Sequence, residues 1–279
     1  MGPRGLRVGW GELTYDVDTA WGRFPPNVQL APVAAVATDS RDRLYVCQRS
    51  EPSILVLDPD GEMVGTLGDG QVTDPHGICV GNDDFVYVVD RDRHQVLVFD
   101  PNGGLARTLG VRNGAAPEAP FNHPCDVTVS TTGDLFIADG YGNSRVHAFS
   151  QDGRHLYSWG EAGRANGQFR VPHGIAVGAN DSVYVADREN DRVQVFDLKG
   201  NVLAVWGDFR GPTDICIDSK QRVYVTDHVP RLTVLSPDGE VLVKVRSYHD
   251  THGVCCDTQG NVYIASTAGR CVIRYGLVR

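Results

Sequence analysis

The chain is 279 residues long, 41% hydrophobic, and carries a formal net charge of −9. That is enough apolar material for a core, while an acidic balance without a basic stripe argues against a nucleic-acid partner. No apolar run approaches a membrane span, and no apolar segment follows the opening Met-Gly-Pro-Arg-Gly-Leu, so neither a membrane anchor nor a secretory signal is expected. Leu6 stands where a myristoylation motif needs Ser or Thr. The seven cysteines are odd in number, and most, such as Cys79, Cys216 and Cys255, fall inside apolar runs. They read as free thiols of a reducing compartment, and the expected location is cytoplasmic.

In chain order, an N-terminal segment (residues 1–31) carries two Trp-Gly pairs, Trp10-Gly11 and Trp21-Gly22. One phrase then recurs. Alternating apolar residues lead into a short Gly/Asp/Asn turn and a second strand with an aromatic near its middle. The clearest copies are Pro75-His76-Gly77-Ile78-Cys79-Val80 with Phe85-Val86-Tyr87-Val88, and Pro172-His173-Gly174-Ile175-Ala176-Val177 with Val183-Tyr184-Val185. Eleven residues before the aromatics Tyr45, Tyr87, Phe136, Tyr184, Tyr224 and Tyr263 stand Ala34, His76, Cys125, His173, Thr213 and His252. Six copies therefore share one register without a gap. Each continues into a third strand such as Arg192–Phe196, a turn such as Pro59-Asp60-Gly61, and a fourth strand ending in pairs such as Trp159-Gly160 or Trp206-Gly207.

Period-two alternation between Gly/Asp/Pro turns predicts antiparallel meanders. Four strands at this period predict a propeller blade. The expected fold is all-β, a six-bladed β-propeller forming one domain over residues 1–279. Its blades lie near 32–71, 72–119, 120–168, 169–210, 211–247 and 248–279. The interruptions near 113–120 and 163–168 read as inter-blade loops. The last copy ends at Val272-Ile273-Arg274-Tyr275 without a fourth strand. The N-terminal segment is expected to supply it, with spacing favouring Trp21, and so to close the ring and hide its edges.

The slot eleven residues before each aromatic opens the innermost strand, which lines the central channel. Histidines occupy it in alternate copies. Alternate blades of a six-fold ring stand about 120° apart, so His76, His173 and His252 converge on one point. Three imidazoles with an open fourth position make a catalytic zinc set, and other first-row metals suit the same nitrogens. A lone histidine here would more often be a hydrogen-bonded channel residue; three in alternation favour metal. Cys125 shares the slot, as an outer ligand or, more simply, as a small channel-lining residue.

A second register lies where strand two ends: Gln48-Arg49, Asp90-Arg91, Asp139-Gly140-Tyr141, Asp187-Arg188, Asp227-His228 and Ser266-Thr267. Repeated Asp here reads as turn-capping structure. Arg49, Arg188 and Tyr141 are candidates for function at the channel mouth, because arginine clamps carboxylates and a tyrosine beside a cation can act as a base. His94, His123, His147, His155 and His249 lie outside both registers and read as surface or loop residues.

Asp139-Gly140-Tyr141-Gly142-Asn143-Ser144-Arg145-Val146, Val171-Pro172-His173 and Ala186-Asp187-Arg188-Glu189-Asn190-Asp191-Arg192 resemble the peptidyl-α-hydroxyglycine α-amidating lyases, NHL-repeat propellers. The likeness covers residues 32 to 200 well and the last two copies less closely. It implies zinc held by His76, His173 and His252, Tyr141 as base, and Arg49 and Arg188 positioning the substrate. The activity implied is cleavage of an N-acyl- or N-carbamoyl-α-hydroxyglycine, a small molecule, to an amide or urea plus glyoxylate. Ureidoglycolate shares that N–CH(OH)–COO⁻ core. The family's secreted animal enzymes place a disulfide cysteine after the tyrosine, where this chain has Gly142. Their structural calcium uses an Asp after the third histidine; Gly253 stands there, which leaves calcium doubtful. The run Asp250-Thr251-His252-Gly253 replaces their Met-Pro before that histidine, so Asp250 and His249 are expected to alter the pocket beside the metal. The alternatives are a zinc hydrolase or lactonase on the same scaffold, and a non-enzymatic NHL interaction module.

Overall fold

A computed structural model describes residues 6–117 and 120–279. Residues 1–5, on which the reading of the N-terminus rests, and residues 118 and 119 of the loop expected near 113–120 lie outside the described residues. Strands β1 (Leu6–Trp10) and β2 (Leu13–Trp21) open the chain. Blade 1 holds β3 (Val33–Thr38), β4 (Leu44–Gln48), β5 (Ile54–Leu57) and β6 (Met63–Thr66). Blade 2 holds β7 (Pro75–Val80), β8 (Val86–Asp90), β9 (Gln95–Phe99) and β10 (Leu105–Gly110). Blade 3 holds β11 (Asp126–Val129), β12 (Leu135–Asp139), β13 (Arg145–Phe149) and β14 (His155–Trp159). Blade 4 holds β15 (Pro172–Val177), β16 (Val183–Asp187), β17 (Arg192–Phe196) and β18 (Val202–Trp206). Blade 5 holds β19 (Pro212–Ile217), β20 (Val223–Asp227), β21 (Arg231–Leu235) and β22 (Val241–Arg246). Blade 6 holds β23 (Gly253–Cys256), β24 (Val262–Ser266) and β25 (Cys271–Leu277).

Among the described residues these strands pair antiparallel, each with its neighbour in sequence, apart from one junction: β2 pairs, also antiparallel, with β25, Trp21 opposite Val272. The N-terminal strand thus completes blade 6 as the spacing predicts. The sequence reading did not foresee β1, which hairpins onto β2 and makes this sheet five-stranded. The innermost strands pack side by side around the axis, and β23 meets β3 to close the circle. No helix among the described residues is long and apolar enough to cross a membrane.

One sheet cannot bury both its faces, so each blade needs two neighbours. Among the described residues six apolar clusters form, and each joins two adjacent blades. The second-strand aromatics Tyr45, Tyr87, Phe136, Tyr184, Tyr224 and Tyr263 are all buried in these clusters. Several place the hydroxyl on an Asp six residues back: Tyr224 on Asp218 at 3.0 Å and Tyr263 on Asp257 at 3.0 Å. Such a partner offsets the cost of burying a phenol hydroxyl.

The capping role read for the repeated Asp is what the structure contains. Asp90 accepts from the backbone N–H of Thr73, Asp139 from Asn122, Asp187 from Arg170 and Asp227 from Arg210. Blade 1 uses Gln48, which accepts from Ala31 N–H. Blade 6 reverses the polarity: Asp250 lies on the preceding loop and accepts from Ser266, Thr267, Ala268 and Gly269. These bonds tie each inner strand's entry loop to the end of the second strand, and so fix the channel mouth.

Candidate metal centre at the channel mouth

The slot residues sit at backbone irregularities. The β-ladder register shifts between Pro75 and Gly77, and again between Pro172 and Ile175. A bulge re-aims the side chain it carries, here His76 and His173. His252 enters just before β23, with its N–H on the carbonyl of Ala265 at 2.9 Å.

The three rings converge. Their centroids lie 4.9 Å apart (His76–His173), 4.9 Å apart (His76–His252) and 5.0 Å apart (His173–His252). One ligand nitrogen from each lies within 4.8 Å of the others. Each Nδ1 faces the slot carbonyl of the next blade: His76 to Cys125 O at 2.8 Å, His173 to Thr213 O at 2.6 Å, His252 to Ala34 O at 2.7 Å. A carbonyl can only accept, so Nδ1 carries the proton and Nε2 keeps its lone pair. The non-histidine slots therefore have a function: they orient the ligands, as backbone carbonyls do for metal-bound imidazoles.

Close approach between blades makes this possible. A Cβ on Gly77 would stand 2.4 Å from Asp126 Oδ1 and 2.6 Å from Cys125 O, and one on Gly174 would stand 2.6 Å from Asp214 Cα. The His-Gly pair thus places an imidazole donor on the neighbouring blade where a larger residue would hold the two apart.

Burial first, and His252 second, push His76 well below the usual imidazole range; burial and then His76 do the same to His173. Burial holds His252 down to about 4. All three are neutral at pH 7, the form a metal requires. The described residues fit a metal on a second count. Tyr141 Oη lies 3.0 Å from His76 Nε2 and 3.0 Å from His173 Nε2. One hydroxyl proton cannot serve both lone pairs, whereas a cation would satisfy all three nitrogens. The three-histidine group could hold a metal.

The structure brings Tyr141 and Arg188 together above the histidines. Arg188 Nη1 donates to Tyr141 Oη at 3.2 Å, and its Nε donates to Glu189 at 3.0 Å. Burial, then Cys125, raise the Tyr141 phenol above its usual value, and Arg188 opposes them. Arg49 stands across the mouth, paired with Asp74 at 3.8 Å; after burial, its charge helps hold down His76 and His252. Cys125 is wholly buried beside the histidines.

Two residues escaped the sequence reading. Arg91 Nη2 meets Asp74 at 2.8 Å, and its guanidinium lies 5.6 Å from the Tyr141 ring, with that of Arg188 at 5.2 Å. Arg91 occupies the same register as Arg188, so the repeat held the signal; Asp74 belongs to no register. The Asp250 carboxylate is taken up by the Ser266–Gly269 turn, and its charge still reaches His252, where it opposes the effect of burial. His147 differs from its reading as a surface or loop residue: it is buried in the middle of β13. His94 does lie in a turn, just after Arg91–Arg93, and is buried there.

A six-bladed propeller with three converging axial histidines is the class that fold and site define. Residues 73–99, 121–149 and 169–196 match the NHL repeat. The chain is 34% identical over 222 residues to peptidylglycine alpha-amidating monooxygenase of Rattus norvegicus, covering 67% of this chain and 22% of that one. It is 30% identical over 246 residues to NHL repeat-containing protein 3 of Homo sapiens, covering 81% and 70%. A probable peptidyl-alpha-hydroxyglycine alpha-amidating lyase of Caenorhabditis elegans is 39% identical over 105 residues, 37% of this chain and 29% of that one. The chain thus spans about a fifth to a third of the length of the amidating relatives. A gluconolactonase structure from Xanthomonas campestris superimposes at a TM-score of 0.72 with 16% identity, covering 99% of each chain, and a streptogramin B lyase structure at 0.68 with 11%, covering 95% of this chain and 98% of that one. At such identities these structures share the fold. The chain belongs to the NHL-repeat propeller family.

Proposed function

We propose that the protein is a metal-dependent lyase that cleaves the C–N bond of an N-acyl- or N-carbamoyl-α-hydroxyglycine, giving an amide or urea and glyoxylate. The observation that carries this is the Tyr141 hydroxyl, 3.0 Å from two of three converging imidazole nitrogens and 3.2 Å from Arg188. The names of the amidating relatives support the same reading.

His76, His173 and His252 would hold the metal, for which zinc suits the donor set. When bound, it would supply a Lewis acid for the substrate's hydroxyl. Tyr141, as the phenolate that Arg188 and a held cation would favour against its burial, takes the hydroxyl proton as the C=O of glyoxylate forms and the C–N bond breaks. That proton is the one the departing nitrogen needs, so the net reaction consumes neither acid nor base. Arg188, with Arg49 across the mouth, holds the glycolate carboxylate. Beneath them the imidazoles of His76 and His173 are buried, and low polarity around that floor would strengthen each of these charges.

The test is metal analysis of the purified protein and of His173→Ala, with both assayed for glyoxylate from α-hydroxyhippurate and ureidoglycolate. Near-stoichiometric zinc lost in the variant, with glyoxylate from wild type alone, is the expected result. Metal without glyoxylate would move the assignment to a hydrolase or lactonase. Absence of metal uptake by folded wild type supplied with zinc would leave a binding propeller.

A further inference from the structure

His147 is wholly buried and belongs to a hydrogen-bonded chain leading from the surface to the Tyr141 loop. Its Nε2 lies 3.1 Å from Asp139 Oδ2, its Nδ1 lies 2.7 Å from Ser158 Oγ, and Ser158 Oγ lies 2.8 Å from His155 Nε2. A carboxylate only accepts, so Nε2 carries the proton, Nδ1 accepts from the serine, and the serine oxygen accepts from His155.

Asp139 also accepts from the backbone N–H of Asn122 at 3.0 Å on both oxygens and from Asn143 Nδ2 at 2.6 Å. Asn143 lies two residues after Tyr141, and Gly142 packs so closely on Asn122 that a Cβ there would stand 2.3 Å from its side chain. The Asp139 carboxylate, itself at the end of β12, thus ties the loop that presents the phenol to its own far side at Asn143 and to the loop before β11 at Asn122.

The repeat supplies an internal comparison. The third residue of the third strand is His147 in β13, Gln194 in β17 and Leu97 in β9. Gln194 Nε2 donates to Asp187 at 3.1 Å, the same bond at the same length. Blade 5 has Thr233 here, whose hydroxyl makes no bond to Asp227, so the blades in which this position holds the Asp are the two whose loops carry Tyr141 and Arg188. Blade 2 shows that the fold itself accepts leucine: Asp90 is held there by Thr73 and Asp74 instead.

We propose that His147 is a positioning residue of the candidate site, its Nε2–H holding Asp139 and through it the loop that sets Tyr141 over the three histidines. The activity arm of its test rests on the lyase reading; the spectroscopic arm does not. Protein labelled with 3-fluorotyrosine is followed by fluorine NMR, with the Tyr141 signal assigned by its loss in Tyr141→Phe. His147→Gln is expected to keep that signal in place and to retain kcat for α-hydroxyhippurate within about 3-fold. His147→Leu is expected to shift or broaden it while zinc content and KM stay near wild type. Its kcat should fall ~10- to 100-fold, the scale of a misplacement near 1 Å. If His147→Leu does not fold, His147→Asn, whose shorter amide falls short of Asp139, replaces it. An unmoved Tyr141 signal in a folded Leu or Asn variant overturns the proposal, as does a folded His147→Gln that behaves like His147→Leu. If wild type releases no glyoxylate, the fluorine signals alone decide.

Discussion

Arg188 and Tyr141 come from neighbouring blades and meet in one bond, Arg188 Nη1 donating to Tyr141 Oη across 3.2 Å. The guanidinium therefore touches the candidate base and is in reach of whatever that base deprotonates. Tyr141→Phe is expected to lower kcat for glyoxylate release ~10²- to 10⁴-fold, the usual worth of a general base, with zinc content unchanged. Arg188→Lys keeps the charge but loses the planar fork, so KM should rise at least several-fold. A Phe variant within 2-fold of wild type would point to hydrolytic chemistry without a tyrosine base.

Below the histidines, Asp126 and Asp214 lie close together in the channel wall. Burial pushes Asp214 up to about 7, and burial together with Asp214 pushes Asp126 well above the carboxylate range. The folded state then binds protons that the unfolded chain releases above about pH 4. This contribution is complete below that pH and is lost as pH rises through the folded-state values, on the order of 1 kcal/mol per unit. In Asp126→Asn one titrating group is gone, so its melting temperature relative to wild type should climb from pH 5 to pH 8. A difference independent of pH would contradict this.

Gly77→Ala should cost about 1–3 kcal/mol by overpacking, since its Cβ would meet Asp126 and Cys125 O well inside contact distance. It should also weaken zinc binding, because His76 reaches Cys125 only through that gap. Gly207→Ala is the control: nothing lies within 4 Å of its Cβ position. Urea denaturation of the two variants, with zinc titration, checks both statements.

Trp21 is 8% exposed and packs on Tyr263 with ring centroids 4.9 Å apart; Trp10 is 62% exposed. Trp21→Ala should lose ~3–5 kcal/mol, while Trp10→Ala should stay within about 0.5 kcal/mol. Equal losses would mean that β1, not β2, seals the ring.

The blade register, the histidine triad and Trp21 could all be read from the sequence for one reason. A repeat converts sequence spacing into angular position, so residues eleven before an aromatic must line one channel. Apart from Arg91, which stood in the second register without being singled out, what escaped lacks that conversion. Asp74 precedes the slot and reveals itself only by pairing with Arg91 and Arg49. His147 alternates like any inward strand residue, and only the three-dimensional blade shows that its inward side meets Asp139 rather than solvent. β1 contains Trp10-Gly11, the same signal as Trp21-Gly22, and spacing could assign just one of them to the open edge.

The bond from His252 to the carbonyl of Ala34 crosses the seam between the last blade and the first. A ribosome makes β2 before, and its partner β25 after, every strand of the other five blades, so blade 6 cannot assemble until all of those have emerged. Until then one imidazole lacks its brace, and the three nitrogens have no reason to meet. Metal capture would accordingly be a late, all-or-none event in biogenesis, and a nascent or nicked chain would be a poor scavenger of zinc.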